Sequence, residues 1–146
     1  MKTLTQISAD GTRMVADRNF LYKDLSYKII GCFYLVYNEL GPAHKEQVYH
    51  EALKIAFDEA GIKYKNEPRL KIRFRGKDVG VYEPDFIVDD KIIIEIKSVL
   101  NMPKVFEKQL YYYLSGTSYK VGYLVNFGNE SIDIRRRVYE TARMKT

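Results

Sequence analysis

Three ionisable residues interrupt two apolar runs: Asp85, Glu95 and Lys97 in Tyr82-Glu83-Pro84-Asp85-Phe86-Ile87-Val88-Asp89-Asp90-Lys91-Ile92-Ile93-Ile94-Glu95-Ile96-Lys97. A charge in such surroundings is costly unless it is paired or binds something. Two facing carboxylates repel unless a cation or a shared proton sits between them. Carboxylate oxygens suit Mg²⁺ or Mn²⁺, and neither His nor Cys lies near in sequence to favour zinc. An ion held by Asp85 and Glu95 would polarise a phosphate oxygen and lower the pKa of a bound water. Lys97 shares a strand face with Glu95, where it would orient that water or stabilise developing negative charge. The same residues also suit a plain charge cluster in which Lys97 neutralises Glu95 or Glu83. Spacing alone does not choose between the two.

Register decides whether one site can form. The two runs flank a polar turn and read as a β-hairpin buried on both faces. A two-residue turn at Asp89-Asp90 pairs Val88 with Lys91 and sends Asp85 to the face opposite Glu95. A three-residue loop, Asp89-Asp90-Lys91, pairs Val88 with Ile92. It brings Asp85 opposite Glu95 and Glu83 opposite Lys97. A bulge near Pro84 would correct a two-residue turn in the same way. One of these devices is expected.

The elements around the hairpin follow from periodicity. Leu21, Leu25, Ile29, Phe33, Val36 and Leu40 recur at helical steps and predict a helix from about Asn19 to Leu40. Gly41-Pro42 ends it. A second helix is predicted from about Ala43 to Ala60, largely buried because Val48, Tyr49, Ala52, Leu53, Ile55, Ala56 and Phe57 cover much of its circumference. Glu46 falls in its first turn, where the helix dipole favours a carboxylate whatever else it does. His44 and His50, six apart, fit no single helical face and read as surface or packing residues. In residues 69–75 Leu70, Ile72 and Phe74 point one way and Arg69, Lys71, Arg73 and Arg75 the other. That basic face either tracks a phosphate backbone or blunts an exposed strand against edge pairing. After Gly76-Lys77-Asp78 the chain is expected to enter the hairpin near Val79. A third helix runs from about Asn101, with Asn101 capping or Pro103 in the first turn, to about Leu114. Gln109 and Tyr113, four apart, share one of its faces. Tyr111-Tyr112-Tyr113 cannot form one stacking platform, because consecutive helical residues diverge, so core or rim packing is expected. Strands are expected at 119–127 and 131–138, the latter carrying Arg135-Arg136-Arg137 as phosphate contacts or a solvated chain end. Residues 1–18 read as an arm or short strand pair around Asp10-Gly11, and the basic C-terminus as frayed.

Helix, helix, three strands, helix, two strands suggests an α/β sandwich around a mixed sheet, in one domain of 146 residues. The composition, 46% hydrophobic and 29% charged, excludes a disordered chain. A lone cysteine, Cys32, excludes an internal disulfide and a zinc cluster and reads as a core residue. No signal-like N-terminus and no membrane-length apolar run is present, so the expected setting is cytoplasmic, without a membrane partner. A net charge of +5 suits a polyanionic partner without demanding one.

Pro84-Asp85 followed by Glu95-Ile96-Lys97 matches the PD-(D/E)XK signature of the restriction-endonuclease-like superfamily. In addition, Leu40-Gly41-Pro42-Ala43-His44-Lys45-Glu46-Gln47-Val48-Tyr49, Gln109-Leu110-Tyr111-Tyr112-Tyr113-Leu114 and Leu124-Val125-Asn126-Phe127-Gly128 occur in order with it. The run resembles the GxxExxY family over about residues 25–138. The resemblance implies a restriction-endonuclease-like αβββαβ core with a central mixed β-sheet flanked by helices. It also implies a Mg²⁺- or Mn²⁺-dependent nuclease acting on DNA or RNA. Asp85, Glu95, Ile96 and Glu46 would then serve the metal, and Lys97 would be the catalytic lysine beside Asp85, Glu95 and Glu46. Tyr49 and Gln109 match motif residues and, with Tyr113, Arg73 and Arg75, are expected at the substrate. The motif's first glycine is Ala43 here, so the loop is expected to enter the helix differently. A binding module without chemistry, a protein-interaction subunit, and a second copy of the chain as partner stay open.

Overall fold

The computed structural model describes residues 20–139 and, N-terminal to them, the strands β1 (Thr5–Ile7) and β2 (Arg13–Val15). Those two strands pair antiparallel, Gln6 opposite Met14, as the strand-pair reading expects. The Asp10-Gly11 turn and the C-terminal basic residues lie outside the described residues.

Helices α1 (Lys23–Leu40) and α2 (Glu46–Glu59) come next. Both start later than periodicity alone suggests. Tyr22 holds a left-handed backbone at the head of α1, and the 42–45 segment is a loop before α2. Helix α2 is one-sided, not buried all round: Tyr49, His50, Leu53, Ala56 and Phe57 are buried, while Val48 and Ile55 face out.

Five strands then precede α3 (Lys104–Ser115), where three were expected. They are β3 (Tyr64–Asn66), β4 (Leu70–Phe74), β5 (Lys77–Tyr82), β6 (Phe86–Val88) and β7 (Ile92–Lys97). The expected single strand from Val79 is broken at Glu83-Pro84-Asp85. Its first half, β5, pairs with β4 as a separate two-stranded ribbon, and only β6 joins the main sheet. Proline at the break removes a ladder donor. Pro103 is the residue before the first turn of α3, and Asn101 sits left-handed without capping the helix through its side chain. Strands β8 (Val121–Asn126) and β9 (Asp133–Val138) complete the chain.

The central sheet runs β3-β6-β7-β8-β9 and is mixed, with β7 and β8 parallel and all other neighbours antiparallel. Parallel neighbours need a crossover, which α3 supplies. Alternation along β7 assigns the faces. Ile92, Ile94 and Ile96 pack with Ile29, Phe33, Leu53 and Phe57 of α1 and α2. Ile93 packs with Leu110 and Leu114 of α3 and with Tyr82. Helices therefore cover both faces of the strands that carry the acidic residues. Gly122 lets α3 approach β8 closely, since a Cβ there would stand 2.8 Å from Leu110 Cδ1. Cys32 is buried against α2, near the Ala56 carbonyl, as a core residue.

Candidate active site

The β6–β7 connection is the three-residue loop. Val88 pairs with Ile92, Ile87 with Ile93 and Phe86 with Ile94, and Lys91 N–H closes the turn on Val88 O at 2.9 Å. Asp89 and Asp90 both adopt left-handed backbones, which short polar side chains tolerate better than most. Tyr119 Oη donates to Asp90 Oδ1 at 2.7 Å and ties the loop to the segment before β8.

Extending that register places Asp85 opposite Glu95 and Pro84 opposite Ile96. The main chain leaves the sheet at this point, so Ile96 N–H has no strand partner, and it donates instead to Asp85 Oδ2 at 2.6 Å. Glu67 N–H donates to Asp85 O at 2.9 Å and anchors the same residue from the end of β3. Asp85 is thus held by its main chain and its side chain between two strands.

Glu95 points to the α3 side of the sheet. Tyr82, buried at the base of β5, donates its hydroxyl to Glu95 Oε2 at 2.5 Å and stacks face to face on Tyr113 of α3, ring centroids 3.6 Å apart. Burial and the nearby Glu95 charge push the Tyr82 hydroxyl up, so it remains a donor. The Glu95 carboxyl is pushed up to about 7, first by burial and then by the facing Asp85, against the Tyr82 hydrogen bond and the Lys97 charge, which favour ionisation. Lys97 lies on the same face, its Nζ 4.2 Å from the centroid of the Phe106 ring of α3.

The pair fits a hard divalent cation. Two carboxylates lie close enough for the Asp85 charge to help raise Glu95, and oxygen donors are what such an ion requires. Glu46 is exposed as the first residue of α2. Among the described residues no group of three or more His, Cys, Asp or Glu side chains stands gathered for a metal, so Glu46 does not complete a ready-made triad.

The remaining expected residues divide. Tyr113 reaches the site through Tyr82, and Gln109 is exposed one turn earlier on α3. Tyr49, expected at the substrate, is fully buried instead. It stacks on Phe127 with centroids 4.2 Å apart, donates to Gly41 O at 2.5 Å and accepts from His44 N–H at 3.1 Å. Its place is the core that shapes the loop before α2. Ala43 in that loop is left-handed after all, with φ of 69°, and donates its N–H to Phe127 O at 3.1 Å. The loop keeps the glycine conformation and alanine bears the strain.

The basic strand face is less free than it reads. Arg69 pairs with Glu83, and Lys71 and Arg73 both reach Asp78 across the ribbon. Glu83 is therefore not opposite Lys97. The apolar face of β4 is half-buried at Leu70 and Ile72, which pack against the core on the α3 side, but Phe74 and Val79 near the ribbon's turn are 60% and 61% exposed. Arg75 sits left-handed at the ribbon's turn over the Phe74 ring. Arg135 and Arg137 both grip the buried Glu107 of α3, and Arg136 reaches Leu21 O and the Phe20 ring. They brace α3 and the start of α1 against β9 and form no solvated chain end.

Two residues do more than the sequence indicates, where Asn126 is only a motif member and His50 a surface or packing residue. Asn126, fully buried, accepts from Val99 N–H and Gly128 N–H at 3.0 Å each and donates to Val99 O at 2.8 Å. It fastens the loop after β7 to the end of β8. His50 is buried beside Asp85, its Nδ1 3.3 Å from Asp85 Oδ1. The available signal was its spacing of four from Glu46, which puts both on one stripe of α2.

Among the described residues no helix is long and apolar enough to cross a membrane. No curated protein matches the chain. A sequence model of the PD-(D/E)XK nuclease superfamily matches residues 23–138, the span that holds both helical layers, the central sheet and the Asp85, Glu95 and Lys97 constellation. With that match over most of its length, the chain belongs to the PD-(D/E)XK nuclease superfamily.

Proposed function

We propose that the protein is a Mg²⁺- or Mn²⁺-dependent phosphodiesterase that hydrolyses DNA or RNA, within the GxxExxY group of its superfamily. The observation that carries this reading is the register of the β6–β7 loop, which turns Asp85 towards Glu95 with Lys97 beside them. Asp85 and Glu95 hold the ion, with the main chain of Ile96 between the strands. Glu46, on the α2 stripe that also carries His50, is the further acidic residue that the GxxExxY reading assigns to the ion. When bound, the ion supplies Lewis-acid polarisation of the scissile phosphate and a water of lowered pKa. Tyr82 occupies one oxygen of Glu95 and so fixes the direction of the other. Lys97, steadied over Phe106, orients the attacking water and offsets the negative charge that develops on the phosphate. Gln109 and Tyr113 border the reacting groups on the α3 side, and Arg73 and Arg75 meet substrate phosphates from the β4–β5 ribbon.

The test is purified protein with Mn²⁺ or Mg²⁺ and end-labelled single-stranded, duplex and structured DNA and RNA. Cleavage is expected with metal, absent in EDTA, and lost in Asp85→Ala and Lys97→Ala. Cleavage that survives both substitutions, or none on any substrate, refutes the reading.

A further inference from the structure

We propose that His50 is a positioning residue for the candidate metal site, acting by fixing the carboxylate of Asp85. The inference rests on the reading above that Asp85 is a metal ligand.

Asp85 lies in the break between β5 and β6, where neither ladder constrains it. Its carboxylate would turn about two side-chain bonds if nothing held it. Ile96 N–H engages Oδ2 and His50 Nδ1 stands 3.3 Å from Oδ1, so each oxygen meets a nitrogen from a different element. A carboxylate only accepts, so Nδ1 engages it when that nitrogen carries a ring proton. The imidazole is itself immobilised. Its far nitrogen, Nε2, lies 2.5 Å from Asn66 Oδ1, and its ring stacks on Phe86 with centroids 4.4 Å apart and planes 22° from parallel. It is 4% exposed, so water does not compete for its nitrogens. The three-residue strand β3 gains a purpose from this: its last residue, Asn66, buttresses the ring, and the next, Glu67, holds the Asp85 main chain. Partners that orient a ligating group are typically worth about 10- to 100-fold in metal affinity or activity.

Two substitutions separate orientation from packing. In His50→Asn the amide nitrogen takes the place of Nδ1 and still reaches Asp85. In His50→Gln it takes the place of Nε2 and reaches only Asn66. Mn²⁺ binding to the full chain, read by calorimetry and by the loss of the free-ion electron paramagnetic resonance signal, is expected to weaken about 10- to 100-fold in His50→Gln. His50→Asn should stay within about threefold of wild type. Asn66→Ala, at an exposed position that should fold regardless, is expected to weaken binding less and in the same direction. Equal binding by wild type, His50→Gln and Asn66→Ala overturns the inference and leaves the metal reading standing. Equal losses in His50→Asn and His50→Gln also overturn it, because packing alone then explains them. Failure of wild type to bind Mn²⁺ overturns the metal reading itself, and this inference with it.

Discussion

At the residue scale the energetics concentrate on Ala43 and Glu95. A left-handed alanine costs roughly 1–2 kcal/mol that glycine would not. Glycine returns part of this through the larger entropy of its unfolded chain. Ala43→Gly is therefore expected to stabilise the protein by about 0.5–1 kcal/mol, seen as a higher urea midpoint at unchanged slope. An unchanged or lower midpoint would show that the loop carries no strain. Glu95 makes the opposite demand. Its folded value, about 7, lies above its ordinary 4.5, so the folded protein holds the proton more firmly. That contribution is full below about pH 4.5 and is lost as pH rises towards 7, where the buried carboxyl must ionise. Glu95→Gln should therefore raise the Tm of metal-free protein at pH 8, and the gap to wild type should narrow towards pH 4.5. Parallel curves across that range would contradict the assignment. With Glu95 as the proposed metal ligand, the same displacement of a proton is expected to raise Mn²⁺ affinity in wild type from pH 6 to pH 8.

Among the elements, the loop after β7 is fastened at its start by the buried amide of Asn126, while Asn129 Oδ1 accepts from Asn101 N–H at its end. The Asn126 amide meets Val99 on both sides and Gly128 on a third, and Gly128 comes so near that a Cβ there would stand 2.3 Å from Val99 N. Ser98 in the same loop donates to the carbonyl of His44, so this junction also supports the entry to α2. Asn126→Ala leaves buried main-chain groups unpaired at about 1–3 kcal/mol each before relaxation. A net loss of about 2–4 kcal/mol is expected in denaturant unfolding, and a loss under 1 kcal/mol would mean that water replaces the amide. Such a junction was hard to read because polar residues at a strand end resemble any loop. The β6–β7 loop was legible for the opposite reason. Apolar runs on both sides left few registers, and only some of them brought Asp85 to Glu95. Strand β3 was not legible, since three residues show no period, and the β5–β6 break hid inside one apolar pattern. The spacing of six between His44 and His50 says nothing of His50's place, because its partners, Asp85, Asn66 and Phe86, lie 16 to 36 residues away in the chain.

For the whole molecule the net charge of +5 overstates how much cation is free for a polyanion. Arg135 and Arg137 are committed to Glu107, and Arg69, Lys71 and Arg73 have carboxylates across the ribbon. Pairing over 14 or 28 residues is invisible to a reading of basic runs, which is why the sequence leaves Arg135-Arg136-Arg137 as either phosphate contacts or a solvated chain end. Around the ribbon turn Arg75 and Lys77 carry no carboxylate partner among the described residues, and Arg73 shares Asp78 with Lys71. If these few cations meet the substrate backbone, binding releases few counterions. Each neutralised phosphate contributes about −0.9 to the slope of log K against log salt on duplex DNA, so about four contacts give a slope near −3.6. Arg75→Ala and Lys77→Ala should each make it shallower by about 0.9. Fluorescence anisotropy of a labelled duplex, without metal and between 50 and 200 mM salt (roughly the range over which such slopes are read), measures it directly. A slope that both substitutions leave unchanged would remove the ribbon from the substrate path. The Asp85, Glu95 and Lys97 constellation would then need another surface to present its phosphate.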